Sequence, residues 1–330
     1  MKQNAFEKKY LSYLTDRKEL FAAYSTRAGG VPSYPYANAE VFGSLGVSGR
    51  LFAWPNQVHG SCVAVLDGSM IETARRSGTL SEEAAATRIR AAEEFGKNAG
   101  WETGKSPLTE PFFLEKNGLR GIRIPLTDGI VTDRNDVVLT TIHADCLAVY
   151  LYDPENHAVG LCHAGWKGTL GGIALRTLET MRDAYGTKPE NVFAAISAGI
   201  SQCCFQVGEE VVLAFRNAFP YTGEYVTRDA EGASECTACG DMERLAAELR
   251  AKRIGPAGPD RAADREERAE TPRYHMNLKG LNKRQLADAG VPSARIGVDT
   301  HCTCCEPALF WSYRREKGCR ERQGAILYLK

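Results

Sequence analysis

Cys146 and His163 stand at the ends of short apolar runs, and His59 follows a third such run, Leu51 to Trp54. One thiol and two imidazoles make a His/Cys/His donor set. Three N/S ligands with a fourth position open to water is the usual arrangement of catalytic Zn²⁺, whereas structural zinc is closed by four protein ligands. The thiolate disfavours hard cations such as Mg²⁺. Taken singly, each residue has an ordinary alternative: an inert buried thiol for Cys146, or a hydrogen-bonded polar group for His59 and His163. His143, three positions before Cys146, is placed to line the same pocket, and Asp145 to orient a ligand or accept a proton.

The elements that must position these groups are legible in the apolar pattern. Val137 to Ile142 and Leu147 to Tyr152 read as buried strands, Asp153-Pro154-Glu155-Asn156 as a turn and Ala158 to Cys162 as the returning strand. Cys146 and His163 are thereby predicted at neighbouring strand ends. Asn191 to Ser197 reads as a strand and Gly208 to Phe219 as a helix with Val211, Val212, Phe215 and Phe219 on one face. Asn277 to Ala289 reads as a second helix, ended by Gly290 and followed by Pro292. Ile296 to Val298 and Ala325 to Leu329 are expected to close the sheet.

After His163, the turn Ala164-Gly165-Trp166-Lys167-Gly168-Thr169 leads into a helix with Ala174, Leu175, Leu178, Met181 and Tyr185 on its apolar face. Thr169 is the expected cap. Unpaired N–H groups at Gly165, Gly168 and Thr169, with the charge of Lys167, would suit an anion such as phosphate. Many strand-to-helix turns carry glycines and bind nothing, so the turn alone is a weak signal.

The chain has 330 residues, and 43% hydrophobic content allows one large core or two smaller ones. Lys plus Arg and Asp plus Glu balance at 41 each, so no overall field favours nucleic acid or a membrane surface. The charged N-terminal stretch and the lack of a long apolar run argue against export or membrane insertion. Eleven Cys then read as reduced thiols in a cytoplasmic protein, some of them on metal. Cys236 and Cys239, with Cys302, Cys304 and Cys305, form C-x₂-C pairs too widely separated for a zinc ribbon.

Several ordered segments resemble the laccase-domain or YfiH-type proteins, whose members are named polyphenol oxidase, purine nucleoside phosphorylase or peptidoglycan editing factor. They are TRAGGVPS (Thr26 to Ser33), NQVHG, LTDGIVTDR (Leu126 to Arg134), HADC, HAGWKG, SAGISQCCFQVGEEV (Ser197 to Val211), MNLKGLNKRQLADAGV (Met276 to Val291) and HCTCCEPALFWSYRREKG (His301 to Gly318). The resemblance implies an α/β sandwich, a mixed β-sheet fold with flanking helices. It also implies one zinc per chain on His59, Cys146 and His163; a monomer or homodimer is the expected state.

The implied chemistry acts on purine nucleosides: phosphorolysis of adenosine, inosine or methylthioadenosine, and hydrolytic deamination of adenosine. Phosphorolysis needs cations around phosphate, for which Arg27, Lys167 and Arg314 are the candidates, and deamination needs an acid/base group such as Asp145. The H-x-E motif of the zinc nucleotide deaminases is missing. This chain departs from the family pattern at Ala148, often Pro, at Phe205, usually Tyr, and in a short segment between Tyr36 and Leu51.

Other chemistries fit parts of the pattern. A cysteine hydrolase or deamidase would use Cys146 as nucleophile and His163 as base. A copper-dependent polyphenol oxidase fits less well, since six His leave few for oxygen-reducing coppers after one blue-copper centre. A non-catalytic binding role would rest on the charge-rich segment Gly223 to Arg273.

That segment and Ser69 to Arg120 read as insertions in a single domain spanning 1–330. The first stretch, 69–120, is expected to be a surface helical excursion, with Ser81 capping a helix that carries Ala85, Ile89, Ala92 and Phe95 on one face. The second, 223–273, is a mixed-charge tract expected to be flexible and partly helical.

Overall fold

The computed structural model describes residues 10–27, 47, 49–99, 109–116, 119–228 and 273–330. In chain order the strands are β1 (Tyr10–Ser12), β2 (Leu20–Ser25), β3 (Leu51–Pro55), β4 (Val63–Val65), β5 (Thr79–Leu80), β6 (Phe112–Lys116), β7 (Leu119–Ile124), β8 (Gly129–Thr132) and β9 (Val137–His143). They continue with β10 (Leu147–Asp153), β11 (Ala158–Ala164), β12 (Phe193–Ile196), β13 (Gln206–Gly208), β14 (Val226–Arg228), β15 (Arg273–Met276), β16 (Ile296–Val298) and β17 (Gln323–Leu329). The helices are α1 (Gly68–Ser77), α2 (Glu82–Ala99), α3 (Trp166–Leu170), α4 (Ile173–Tyr185), α5 (Glu209–Ala218), α6 (Leu278–Asp288) and α7 (Tyr313–Glu316).

The two large sheets are mixed: eight strands in the order β1-β2-β17-β9-β3-β7-β6-β5, and six in the order β16-β12-β10-β11-β8-β4. Their facing sides pack through Val137 and Leu139 of β9, Ala325 and Leu327 of β17, and Ala148, Tyr150 and Tyr152 of β10. Alternate residues of β10, Leu147, Val149 and Leu151, face the other way and meet Ile173, Leu178 and Met181 of α4 and Phe215 of α5. Burial on both faces explains why β10 reads as an unbroken apolar run instead of an alternation. Each of its large aliphatic side chains contributes roughly 1.5–3 kcal/mol by leaving water. Tyr150 keeps its polar end satisfied by donating its hydroxyl proton to the Ala23 carbonyl of β2 at 2.7 Å, which also ties the two sheets together.

Several expectations need correction. The segments Ile296–Val298 and Gln323–Leu329 do not close one sheet: β16 lies at the edge of the six-stranded sheet and β17 inside the eight-stranded one. An apolar run records burial, not which of two packed sheets receives it. Thr169 is not the cap of the long helix but sits buried inside α3. The Gly171-Gly172 pair breaks the helical run there, and α4 starts from Gly172 in the left-handed region at φ 71°, a conformation glycine adopts without steric cost.

The stretch 69–120 holds α1 and α2, and Ser81 does cap α2, its hydroxyl accepting from the Ala84 N–H at 3.2 Å. It is more than a surface excursion, because β5, β6 and β7 extend the eight-stranded sheet. Most of 223–273 lies outside the described residues, as do Cys236 and Cys239. Its flanks, β14 and β15, pair antiparallel with Val226 opposite Met276. No helix among the described residues is long and apolar enough to cross a membrane.

Candidate metal centre

The chain passes from one large sheet to the other at residues 143–147. His143 ends β9 in the eight-stranded sheet, and Leu147 opens β10 in the six-stranded one. Asp145, between them, takes a left-handed backbone at φ 87°. In the adjacent ladder Leu147 pairs with Ala164 and Ala148 with His163, so Cys146 and His163 meet at neighbouring strand ends as expected. His59 arrives on the loop after β3, also left-handed at φ 61°. Such backbone outliers in non-glycine residues persist only where surrounding contacts over-determine them.

Those contacts come from two residues that carried no sequence signal of their own. Gln57 exchanges two hydrogen bonds with Ile142 of β9: its amide donates to the carbonyl and its carbonyl accepts from the N–H, both at 2.8 Å. Asp128, fully buried, accepts from the N–H groups of Val58, His59 and Gly60 at 3.0, 3.1 and 2.9 Å. The same carboxylate takes His163 Nδ1 at 2.8 Å. One acid therefore sets both the backbone of the His59 loop and the ring of His163. Asp128 lies in LTDGIVTDR, but only the fold reveals its reach over about seventy positions.

The ligand atoms of His59, Cys146 and His163 all lie within 4.8 Å of one another. The His59 and His163 rings meet edge-on, with centroids 4.8 Å apart. His163 is buried, Cys146 half-buried and His59 exposed, so the group opens to solvent on one side. Burial pushes the Cys146 thiol up, but the charge on His163 and hydrogen bonds from His163 and His59 outweigh it and bring it to about 6. Burial pushes His163 down, while the Cys146 thiolate and Asp128 hold it up at about 10. Without a metal the two therefore form a thiolate–imidazolium pair. With one, two imidazoles and a thiolate suit a borderline-soft ion, and a carboxylate on the far nitrogen of a ligating His is the common way its ring is oriented.

Gly165 belongs to this centre. A Cβ there would lie 3.0 Å from Cys146 Sγ and 3.1 Å from His59 Cδ2, so any side chain would press on the donor set. Gly168 is buried against the Gly60 carbonyl, and Thr169 is tied to α6, its hydroxyl accepting from Asn282 and its carbonyl from Gln285. Lys167 is exposed, with its ammonium 5.5 Å from the Trp166 ring centroid.

His143 is buried, its ring 5.3 Å from that of His163. Its Nε2 bonds the Thr141 hydroxyl at 2.8 Å, and the Cys146 backbone also bears on the ring. Burial first, then the charges of His163 and His59, keep it well below the usual imidazole range and hence neutral. Asp145 has both oxygens engaged, Oδ1 by the Thr303 hydroxyl and Oδ2 by the Arg314 N–H, each at 2.7 Å. The Arg314 guanidinium spends donors on the Cys204 and Gln206 carbonyls. Arg27 pairs with Glu316 at 3.1 Å.

The sequence matches the family model described as multi-copper polyphenol oxidoreductase laccase over residues 29–257 and 244–330. The chain belongs to this family. Among its relatives, purine nucleoside phosphorylase YlmD of Geobacillus stearothermophilus is 31% identical over 62% of this chain and 60% of that protein. Adenosine deaminase RL5, from an unknown prokaryotic organism, is 31% identical over 57% of this chain and 56% of its own length. The matched stretch thus spans well under two thirds of either relative. The solved structure of Bacillus licheniformis hypothetical protein YfiH superimposes with a TM-score of 0.64 at 23% identity, covering 98% of this chain and 97% of that one. That likeness establishes the YfiH-like fold.

Proposed function

We propose that this family member is a zinc-dependent enzyme of purine nucleosides, splitting adenosine, inosine or methylthioadenosine with phosphate and deaminating adenosine with water. The observation that carries the reading is the Asp128-braced convergence of His59, Cys146 and His163 on one point with a solvent-open side. The names of the relatives, phosphorylase and deaminase, support the substrate class.

His59, Cys146 and His163 would hold the ion, with Asp128 keeping the proton on His163 Nδ1 so that Nε2 is left for the metal. When bound, zinc supplies Lewis acidity and lowers the pKa of water toward about 7. His143, neutral and with its ring 5.3 Å from that of His163, is the group placed to take and return a proton beside the triad. Asp145 acts by position: through Thr303 and the Arg314 backbone it holds the C-terminal segment against the turn that carries Cys146. Lys167, exposed at the rim, is the cation with most freedom to meet phosphate, ahead of Arg27, which is already paired.

The test is metal content of purified protein, followed by adenosine turnover with and without phosphate, analysed for adenine, inosine and hypoxanthine. Adenine and ribose 1-phosphate forming only with phosphate supports the phosphorylase, and phosphate-independent inosine supports the deaminase. The Cys146–His163 pair also fits a thiol hydrolase. Metal-free protein that stays active and is killed by alkylation of Cys146 would replace the zinc reading with that one.

A further inference from the structure

Four other cysteines converge where the sequence offers only two short pairs. Cys203-Cys204 lie in the turn after β12, and Cys302 and Cys305 on the segment after β16. An isolated parallel bridge between Gly199 and Cys302 aligns the two segments, and the Thr303 N–H donates to the Gly199 carbonyl at 3.1 Å. The four sulfurs all lie within 4.8 Å of one another. Cys203 Sγ is 3.7 Å from Cys204, 3.9 Å from Cys302 and 3.6 Å from Cys305, and Cys204 is 3.2 Å from Cys305.

Those spacings decide among the things four thiols can be. A disulfide requires sulfurs about 2.05 Å apart. Four thiolates arranged tetrahedrally at a Zn–S distance of about 2.3 Å are about 3.8 Å from one another along every edge. Three of the four contacts fall within 0.2 Å of that edge, and the fourth is shorter but far from a covalent bond.

The surroundings suit a negatively charged centre. The Ser201 N–H points at Cys302 Sγ from 3.3 Å. Lys279 is 5% exposed, and its ammonium donates to the Ser201 hydroxyl at 3.0 Å and to the Asp299 and His301 carbonyls at 3.0 and 2.6 Å. All three acceptors are neutral oxygens, and a buried ammonium needs negative charge nearby. The carboxylates of Asp299 and Glu306 supply some, and the sulfurs of the cluster lie close enough to add more when metal-bound. A divalent ion with four thiolates carries two net negative charges, which Lys279 partly offsets.

We propose that Cys203, Cys204, Cys302 and Cys305 form a second, structural metal site for a zinc-class divalent ion, independent of the His59/Cys146/His163 group. Four protein ligands leave it closed, so it is a clamp and not a reaction centre. It fastens the turn after β12 to the C-terminal segment. Thr303, between two of the ligands, gives its hydroxyl to Asp145, and the Arg315 guanidinium binds the Thr303 and Cys304 carbonyls.

Metal analysis and X-ray absorption on the full-length Cys146→Ala protein test the proposal, since that change disables the first centre alone. One metal ion per chain should remain, surrounded by four sulfurs at about 2.3 Å. Adding Cys302→Ser and Cys305→Ser in the same background should remove that equivalent. A folded Cys146→Ala protein without metal would overturn the site, as would a Cys204–Cys305 disulfide found by peptide mapping. If the triple variant fails to fold, the sulfur coordination of Cys146→Ala decides alone.

Discussion

The two sulfur-bearing clusters share a boundary and differ in everything that sets reactivity. The His59/Cys146/His163 group mixes nitrogen and sulfur, offers three donors, and opens toward solvent at His59. The Cys203/Cys204/Cys302/Cys305 group offers four sulfurs, enough to fill a tetrahedral coordination sphere although Cys203 itself is exposed. The first is braced by a single buried carboxylate reaching across the sheet edge, the second by backbone contacts between two adjacent segments. Openness and a carboxylate brace belong to chemistry, and closure belongs to cohesion. Asp145 connects them, because Thr303 rises from the closed group to hold it and Cys146 follows it in sequence.

The largest effect separating the two should come from Cys146→Ala, which removes the triad metal and with it nucleoside turnover while the thermal transition stays cooperative. Retention of full activity by Cys146→Ala protein that has lost the triad metal would sink the assignment of catalysis to this group. Asp128→Asn should follow, lowering metal affinity or kcat/KM by about 10–100-fold, the usual loss when the partner of a ligating His is changed. A competition titration with a chromophoric chelator measures it, and unchanged affinity would mean that Asp128 merely packs.

Cys302→Ser should invert the pattern, lowering the melting temperature while turnover falls less than in Asp128→Asn. Turnover lost before stability would make the four-cysteine group part of the reaction centre. In metal-free protein, alkylation of Cys146 should reach half its maximal rate near pH 6, where its thiolate forms, instead of near 9 as for an ordinary thiol. Metal should suppress it.

The smallest effect concerns His143. Its folded pKa lies below the ordinary 6.5, so the unfolded chain binds the extra proton first. The stability this contributes is complete above about pH 6.5 and is lost as pH falls through the folded value. Denaturant titrations at pH 7.5 and 5.5 should show His143→Gln losing less stability on acidification than wild type.

Much of the fold was legible locally. Burial on both faces wrote β9, β10 and β11 as apolar runs, and the caps and stops of α5 and α6 appear within a residue or two of where glycine, asparagine and proline place them. The break at Gly171-Gly172 is hidden in the sequence because a helical pattern of apolar residues continues across it. The division into two sheets was hidden for a similar reason, since a strand's pattern is the same whichever partner sheet covers it.

The sequence by itself determined the donor types, the strand ends that carry Cys146 and His163, and the apolar faces that must be buried. Only the tertiary structure decided that Asp128 grips both the His59 loop and the His163 ring, that Asp145 is held by Thr303 and Arg314, and that Cys203 and Cys204 meet Cys302 and Cys305. The physical reason is range. Periodicity and capping act over a few residues along the chain, whereas a hydrogen bond or a metal ligand is chosen by distance in space, which the packing of the two sheets sets.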